Sequence, residues 1–168
     1  MKTKITIRKA TEIDATNILD FVKAVTNESI FLGRHNNDSL PDLETEQKLI
    51  KEAPADDLWL LALVDEKIVG LLNFSREHHI KSKHRSSFGI SVRKSYWGQG
   101  IASMLMEAML KHAYSLKGLE KIELGVNSTN DKAIVLYKKY NFKEEGRIGK
   151  ALLVDGEYYD EIKMALFL

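Results

Sequence analysis

The pattern of apolar and polar positions divides the chain into short strands and amphipathic helices. Ile5 and Ile7 alternate with polar residues, which predicts a first strand. Thr11, with Asp14 as a capping-box partner, is placed to begin a helix. Apolar positions with helical spacing follow at Ile18, Phe21, Val22 and Val25. Residues 27–42 lack periodicity and are predicted to form a loop anchored by Phe31 and Leu32, and a short helix is expected over residues 43–53, stopped by Pro54.

The middle of the chain predicts an antiparallel meander. Residues 58–64 are a continuous apolar run of strand length, and residues 68–74 are apolar again after the polar connection Asp65-Glu66-Lys67. A third strand is expected over residues 86–93. Two strands joined by so short a connection form a hairpin, and the third strand extends it.

The pattern then changes to alternating helices and strands. Helical spacing begins at Ile101 and ends before Gly118, a strand follows over residues 122–126, and another helix is expected over residues 133–140. Because one helix connects the strand before Ile101 to the strand at Ile122, these two strands should be parallel, with a right-handed crossover.

Residues 143–154 and 157–166 predict a closing hairpin around Asp155-Gly156. The expected fold is therefore of mixed α/β class: a central sheet of about seven strands, an antiparallel meander plus one parallel βαβ crossover, flanked by about four helices. Residues 1–168 are expected to form a single domain. A doubly wound dinucleotide-binding fold would need more βαβ units and a third glycine at position 103, where the chain has Ser.

Composition narrows the function only a little. The 168 residues carry a net charge of +1, which gives no reason to expect a nucleic acid as partner. The chain has no cysteine, and no apolar run reaches the roughly 18 residues of a membrane span, so a cytoplasmic protein that binds no membrane is expected. His78 and His79 are adjacent, would point to opposite faces of a strand, and have no ligand cluster around them, so no metal site is predicted.

The most informative stretch lies between a strand and a helix. An apolar alternating run ends at Val92, and Gly98 and Gly100 precede the helix that begins at Ile101. Glycines let the main chain approach a ligand closely, and the N–H groups of a helix start favour an anion. The stretch therefore predicts a site for a phosphorylated cofactor.

Two motifs in this order resemble the GNAT family of acetyl-CoA-dependent N-acetyltransferases. They are Tyr-Trp-Gly-Gln-Gly-Ile-Ala at residues 96–102 and Asn-x-x-Ala-x-x-x-Tyr at residues 130–137. The similarity covers residues 5–164. The family's pyrophosphate motif begins with Gln or Arg, where this chain has Trp97.

The resemblance implies acetyl-CoA as co-substrate, no metal, and direct attack of a primary amine on the acetyl group. Tyr137 is expected to be the general acid that protonates the departing thiolate. A backbone N–H of the strand ending at Val92 is expected to stabilise the oxyanion. The cofactor-binding residues implied in this way are Ile90, Ser91, Val92, Trp97, Gly98, Gln99, Gly100, Ile101, Ala102, Ser103, Asn130 and Ala133.

The acceptor amine and the base are left open. A free amino acid, a polyamine, an antibiotic or a peptide N-terminus are all candidate acceptors. The loop at 27–42, the strand end at 77–85 and the hairpin at 155–160 are expected to form the acceptor site. Candidate bases are Glu28, Glu77, His79, His84 and Glu123, of which Glu28, Glu77 and His79 are also predicted to bind the acceptor.

A non-catalytic acyl-CoA sensor is the alternative from a different functional class. It would keep the glycine turn but would need no proton donor at Tyr137. Family members often form homodimers, and the apolar residues 162–168 suit a subunit contact.

Overall fold

The computed structural model describes residues 4–32 and 37–168. Its strands are β1 Ile5–Lys9, β2 Leu58–Val64, β3 Lys67–Arg76, β4 Arg85–Val92, β5 Lys121–Asn127, β6 Lys143–Val154 and β7 Glu157–Phe167. Its helices are α1 Ala15–Glu28, α2 Leu43–Lys51, α3 Ile101–Ser115 and α4 Asp131–Lys139, with short 3-10 turns at Glu12–Asp14 and Lys94–Tyr96. Within the described ranges, no helix is both long and apolar enough to cross a membrane.

The strands follow the order β1-β2-β3-β4-β5-β7-β6, which confirms the predicted mixed sheet. Strand β4 runs parallel to β5, as the crossover argument predicted, while β2 is antiparallel to β1 and β3, and β7 is antiparallel to β5 and β6. By its internal contacts the chain divides into two compact units, Met1–Ser75 with Gly89–Leu116, and Arg76–Phe88 with Lys117–Leu168. A single domain over residues 1–168 stays a prediction.

In the first unit the sheet is apolar on both faces. On one face Leu61, Leu63 and Leu71 pack in a cluster with the buried side of α1, whose core residues are Ala15, Ile18, Phe21 and Val25. On the other face, a Cβ added to Gly70 would lie 3.1 Å from side-chain atoms of Ile101 and Leu105 in α3. Burial on both faces explains why residues 58–64 are apolar without interruption.

The second unit has one buried and one polar face. Ile122, Leu124 and Val126 of β5 are buried, whereas the alternate residues Lys121 and Glu123 are only half-buried. This alternation is typical of a strand with one face against a core. Tyr137 of α4 and Phe142 also belong to the buried residues of this unit.

Local turn chemistry was predicted well, with small shifts in position. Asp155 and Gly156 both have positive φ, as the hairpin signal requires, and the β2–β3 connection is the two-residue turn Asp65-Glu66. The Thr11–Asp14 capping box is present. Helix α3 ends at Ser115, earlier than predicted, and Gly118 adopts its left-handed conformation beyond the helix end. Helix α1 extends to Glu28, into the segment predicted as loop.

Candidate active site

The glycine turn has the backbone of an anion cradle, a name used below for residues 97–103. Gly98 and Gly100 adopt φ values of 76° and 80°, in the left-handed region that glycine occupies without strain. Apart from the adjacent residues, no heavy atom in the described ranges lies within 4 Å of a Cβ added at either glycine. The main chain is therefore open on the side where a side chain would otherwise stand.

Helix α3 begins directly on this turn without a capping side chain. Gly100 is the N-cap residue, and the first turn contains no acidic residue. The first N–H groups of a helix have no acceptor within the helix, and the helix dipole makes this end partly positive. Backbone donors such as the amides of Ile101 and Ala102 are thus suited to a phosphate group.

Trp97 makes a structural contact in place of the Gln or Arg that the family motif has. Its indole Nε1 donates a hydrogen bond of 2.8 Å to the carbonyl of Val92, and its side chain is 38% exposed. The hydrogen bond joins the cradle to the last residue of β4, and it spans the 3-10 turn at Lys94–Tyr96 between them. Ile90 and Ser91 precede Val92 in this strand, half-buried like it.

Glu28, the last residue of α1, binds the segment that connects β4 to the cradle. Its Oε1 accepts a 2.7 Å hydrogen bond from Arg93 Nε, and its Oε2 accepts a 2.8 Å bond from the backbone N–H of Lys94. Arg93 in turn donates its own N–H to Val69 in β3. Glu28, predicted as a substrate contact, thus also anchors the segment that leads into the cradle.

In the second unit, the parallel ladder between β4 and β5 is short. It pairs Arg85 to Ser87 with Lys121 to Glu123, and the next step, Phe88 opposite Leu124, makes no register pair. The ring of Phe88 instead contacts Tyr137 and Phe142 edge-on, at centroid distances of 5.9 and 5.8 Å. The second half of β5 therefore has a backbone edge that the ladder does not use.

Tyr137, the predicted general acid, lies in this aromatic group. The residue is 8% exposed, and burial raises the pKa of its phenol to about 12. A phenol with so high a pKa remains protonated at neutral pH. It can therefore donate a proton but has no tendency to act as a base.

Asn130 and Ala133 form the start of α4. The Oδ1 atom of Asn130 accepts from the backbone N–H of Ala133 at 3.3 Å, so the side chain caps the helix. Its amide group stays the predicted contact to the cofactor. Just before it, Asn127 accepts two hydrogen bonds from Thr129, at 2.9 Å from its N–H and 2.8 Å from its hydroxyl.

The remaining candidate bases have varied surroundings. Glu77 and His79 are exposed, and His84 is half-buried. Burial alone would raise the pKa of Glu123, but Lys121 and Arg85 lower it below its ordinary value. Glu123 accepts ion pairs at 2.7 Å from Lys121 and 3.3 Å from Arg85, which makes it a weak base. Across residues 4–32 and 37–168, no group of three or more His, Cys, Asp or Glu side chains could hold a metal.

The cradle has three features that favour an anion. Two glycines expose the main chain, an uncapped helix begins at Ile101, and no carboxylate in the first helical turn would repel an anion. Sequence reasoning found these features because they are local. It missed the Glu28 anchor and the Trp97 hydrogen bond, since neither pairing has a signal in the sequence.

Comparisons with known proteins show the family to which the chain belongs. The model of the GNAT acetyltransferase family matches residues 25–142. The L-amino acid N-acetyltransferase of Escherichia coli K12 is 34% identical over 67% of this chain and 76% of its own length. A spermidine N(1)-acetyltransferase of the same organism is 28% identical over 61% of this chain, an alignment that spans only 54% of that relative.

Among solved structures, a GNAT-family acetyltransferase from Streptococcus pneumoniae superposes with a TM-score of 0.94 and 25% identity. The match covers 98% of this chain and 100% of that protein. The resemblance inferred from the two sequence motifs is thereby confirmed. The chain belongs to the GNAT family of acetyltransferases.

Proposed function

We propose that the protein transfers the acetyl group of acetyl-CoA to a primary amine of a small molecule or a peptide N-terminus. The observation that carries this proposal is the anion cradle, in which two left-handed glycines lead into an uncapped helix start. Support also comes from Tyr137, whose phenol remains protonated at neutral pH. Relatives named for L-amino acid and spermidine acetylation give the range of acceptors to test.

In the proposed mechanism, acetyl-CoA supplies the activated acetyl group, and the protein binds, orients and protonates. Backbone N–H groups of residues 98–103 hold the pyrophosphate, with Trp97 and Glu28 keeping the turn in place. The amide of Asn130 and the small side chain of Ala133 receive the pantetheine arm. Residues 90–92 of β4 offer their backbone to the arm and to the acetyl oxygen.

Tyr137 supplies the proton that the departing thiolate needs. A neutral phenol is a useful donor here because the thiolate gains negative charge as the carbon–sulfur bond breaks. The amine attacks directly in its neutral form, and no covalent intermediate with the protein is formed. As the carbon–nitrogen bond forms and the carbon–sulfur bond breaks, the surplus proton on the nitrogen passes to water, and the Tyr137 phenolate regains its proton from water. Because the pKa of Tyr137 is raised to about 12, the donor is fully protonated at any pH at which an amine substrate begins to lose its proton.

The test is release of free coenzyme A thiol in the presence of a panel of amines, with the acetylated product identified by mass spectrometry. The panel contains L-amino acids, polyamines, aminoglycosides and short peptides. Turnover with at least one class is expected. Tight binding of acetyl-CoA without turnover of any amine would instead support a sensor module.

A further inference from the structure

A carboxylate in the second unit lies unusually close to a strand backbone. The side chain of Glu161 in β7 covers Gly125 in β5, so that a Cβ added to Gly125 would be 2.6 Å from Glu161 Cδ. Both carboxylate oxygens would be within 2.8 Å of the same position. Real Cβ atoms do not approach other atoms so closely, so the carboxylate can occupy this position only because residue 125 is glycine.

The strand register places this carboxylate beside a buried amide. Asn127 is directly opposite Glu161, and Gly125 is directly opposite Lys163, so all four residues belong to one face of the β5–β7 pair. We call these four residues the amine face. Glu161 already forms an ion pair with the ammonium group of Lys163, whose side chain is 48% exposed. The carboxylate is thus shaped to accept a primary ammonium group.

Asn127 provides an independent indication of a ligand. It is 2% exposed, and its Oδ1 is engaged by Thr129. Its Nδ2 is the one fully buried side-chain polar atom without a hydrogen-bond partner within the described ranges. A buried donor without an acceptor destabilises the folded protein. Binding of a ligand is therefore favoured if one of its oxygens displaces the atoms that cover Nδ2 and accepts the hydrogen bond.

The position along β5 also suits an acceptor. Gly125 and Asn127 lie beyond Glu123, where the ladder with β4 ends. The other carboxylates of this polar face are less suited to an incoming cation. Glu123 is shared by Lys121 and Arg85, and Glu145 is paired with Lys121 at 2.8 Å. Lys121, the partner of both, is only 18% exposed, whereas Lys163, the partner of Glu161, is 48% exposed and easier to displace. A polyamine, which needs several carboxylates that it can reach, is therefore less favoured by this face.

From these observations we propose that the amine face binds the acceptor, with Glu161 on its ammonium group and Asn127 Nδ2 on an adjacent oxygen. An amine with a neighbouring carboxylate or carbonyl oxygen is an α-amino acid or a peptide N-terminus. The ammonium group of Lys163 pairs with Glu161 until the ammonium group of the acceptor displaces it. This inference rests on the proposed acetyl transfer and selects its substrate class.

The experiment measures steady-state constants with an L-amino acid, the corresponding amino acid amide, a dipeptide and a simple alkylamine. Glu161→Gln is expected to raise the KM of every amine about tenfold or more, because a charge-assisted hydrogen bond is lost. The KM of acetyl-CoA should change less than about twofold. Glu144→Gln, an exposed carboxylate on the neighbouring strand β6, is the matched control and should leave both constants unchanged.

Two further variants keep the proposal testable if Glu161→Gln folds poorly. Gly125→Ala leaves Glu161 in the chain but displaces its carboxylate, and it should reproduce the rise in amine KM. Asn127→Asp retains the oxygen that accepts from Thr129 but removes the donor. It should raise the KM of the amino acid and the dipeptide while leaving that of the alkylamine unchanged.

The outcomes separate this inference from the proposed function. The wild-type protein could acetylate amines while Glu161→Gln and Gly125→Ala leave the KM of these amines unchanged. That result would contradict the assignment of the amine face and would still support the proposed acetyltransferase activity. A wild-type preference for polyamines over amino acids would also overturn the assignment of the amine face. Comparing the free amino acid with the amide and the dipeptide shows whether the neighbouring oxygen belongs to a carboxylate or to a carbonyl.

Discussion

The anion cradle and the amine face achieve recognition in opposite ways. The cradle is almost entirely backbone, with two glycines, a helix start and the N–H groups they expose. The amine face consists of residues from two strands, and Glu161 and Asn127 are 34 positions apart in sequence. A backbone site suits the invariant phosphates of a cofactor, whereas a side-chain site can change with the acceptor.

The contrast predicts that damage to each region affects a different constant. A change in the cradle should weaken the binding of acetyl-CoA. A change in the second unit should affect the binding of the acceptor or the chemical step.

Tyr137→Phe should have the largest effect, on kcat. Loss of a general acid lowers rates by roughly 10²–10⁴-fold, while a ring of the same shape keeps the contacts with Phe88 and Phe142. Stopped-flow measurement of thiol release should show the loss, and calorimetry should show unchanged acetyl-CoA affinity. Tyr114→Phe, at an exposed tyrosine, is the control. A variant that retains full kcat would remove Tyr137 from the mechanism.

Gly100→Val should weaken acetyl-CoA binding by about tenfold or more, equivalent to about 1.4 kcal/mol. A β-branched residue is strained at a φ of 80°, and its side chain would occupy the approach to the helix start. Gly156→Val is a matched control, because Gly156 has a φ of 85° in the β6–β7 turn and is equally uncrowded. Calorimetry on both variants separates strain in a turn from loss of the site, and equal affinities would contradict the cradle.

Glu28→Gln should reduce acetyl-CoA affinity by a few-fold. The substitution weakens the hydrogen bonds to Arg93 and the Lys94 N–H, but both partners are partly exposed, so roughly 1 kcal/mol is the upper range. The comparison is with Asp20→Asn, an exposed acidic residue on the same helix. Raising the ionic strength should reduce the difference between the two variants. A Glu28→Gln protein with unchanged affinity at low salt would show that the anchor is not needed for the cradle.

Asp14→Asn should leave kinetic constants unchanged and affect only stability, by roughly 1 kcal/mol. A hydrogen bond from Arg8, opposed by burial, lowers the pKa of Asp14 from 3.8 to about 2. A lowered pKa contributes stability above the unfolded value of 3.8, which is lost as the pH falls toward 2. Urea unfolding at pH 7 and at pH 3 should therefore show a difference from wild type that shrinks at the lower pH. A constant difference would assign the effect to the cap rather than to the charge.

How well each region was predicted from the sequence follows from the same contrast. Gly98, Gly100 and Asp155-Gly156 are local signals, so the turns at these positions were predicted correctly. Glu161 gave no signal, because its role depends on a strand register that brings Gly125 beneath it. The hydrogen bond between Glu28 and Arg93 joins residues that are 65 positions apart in sequence. Neither residue type nor spacing predicts this pairing.

The most direct test is a crossed measurement of two constants, the Kd of acetyl-CoA and the KM of the amine, in Gly100→Val and Glu161→Gln. The expected result is that Gly100→Val raises only the Kd of acetyl-CoA, while Glu161→Gln raises only the KM of the amine. If both variants altered the same constant, or if each altered both constants equally, the division of recognition between backbone and side chains would be wrong.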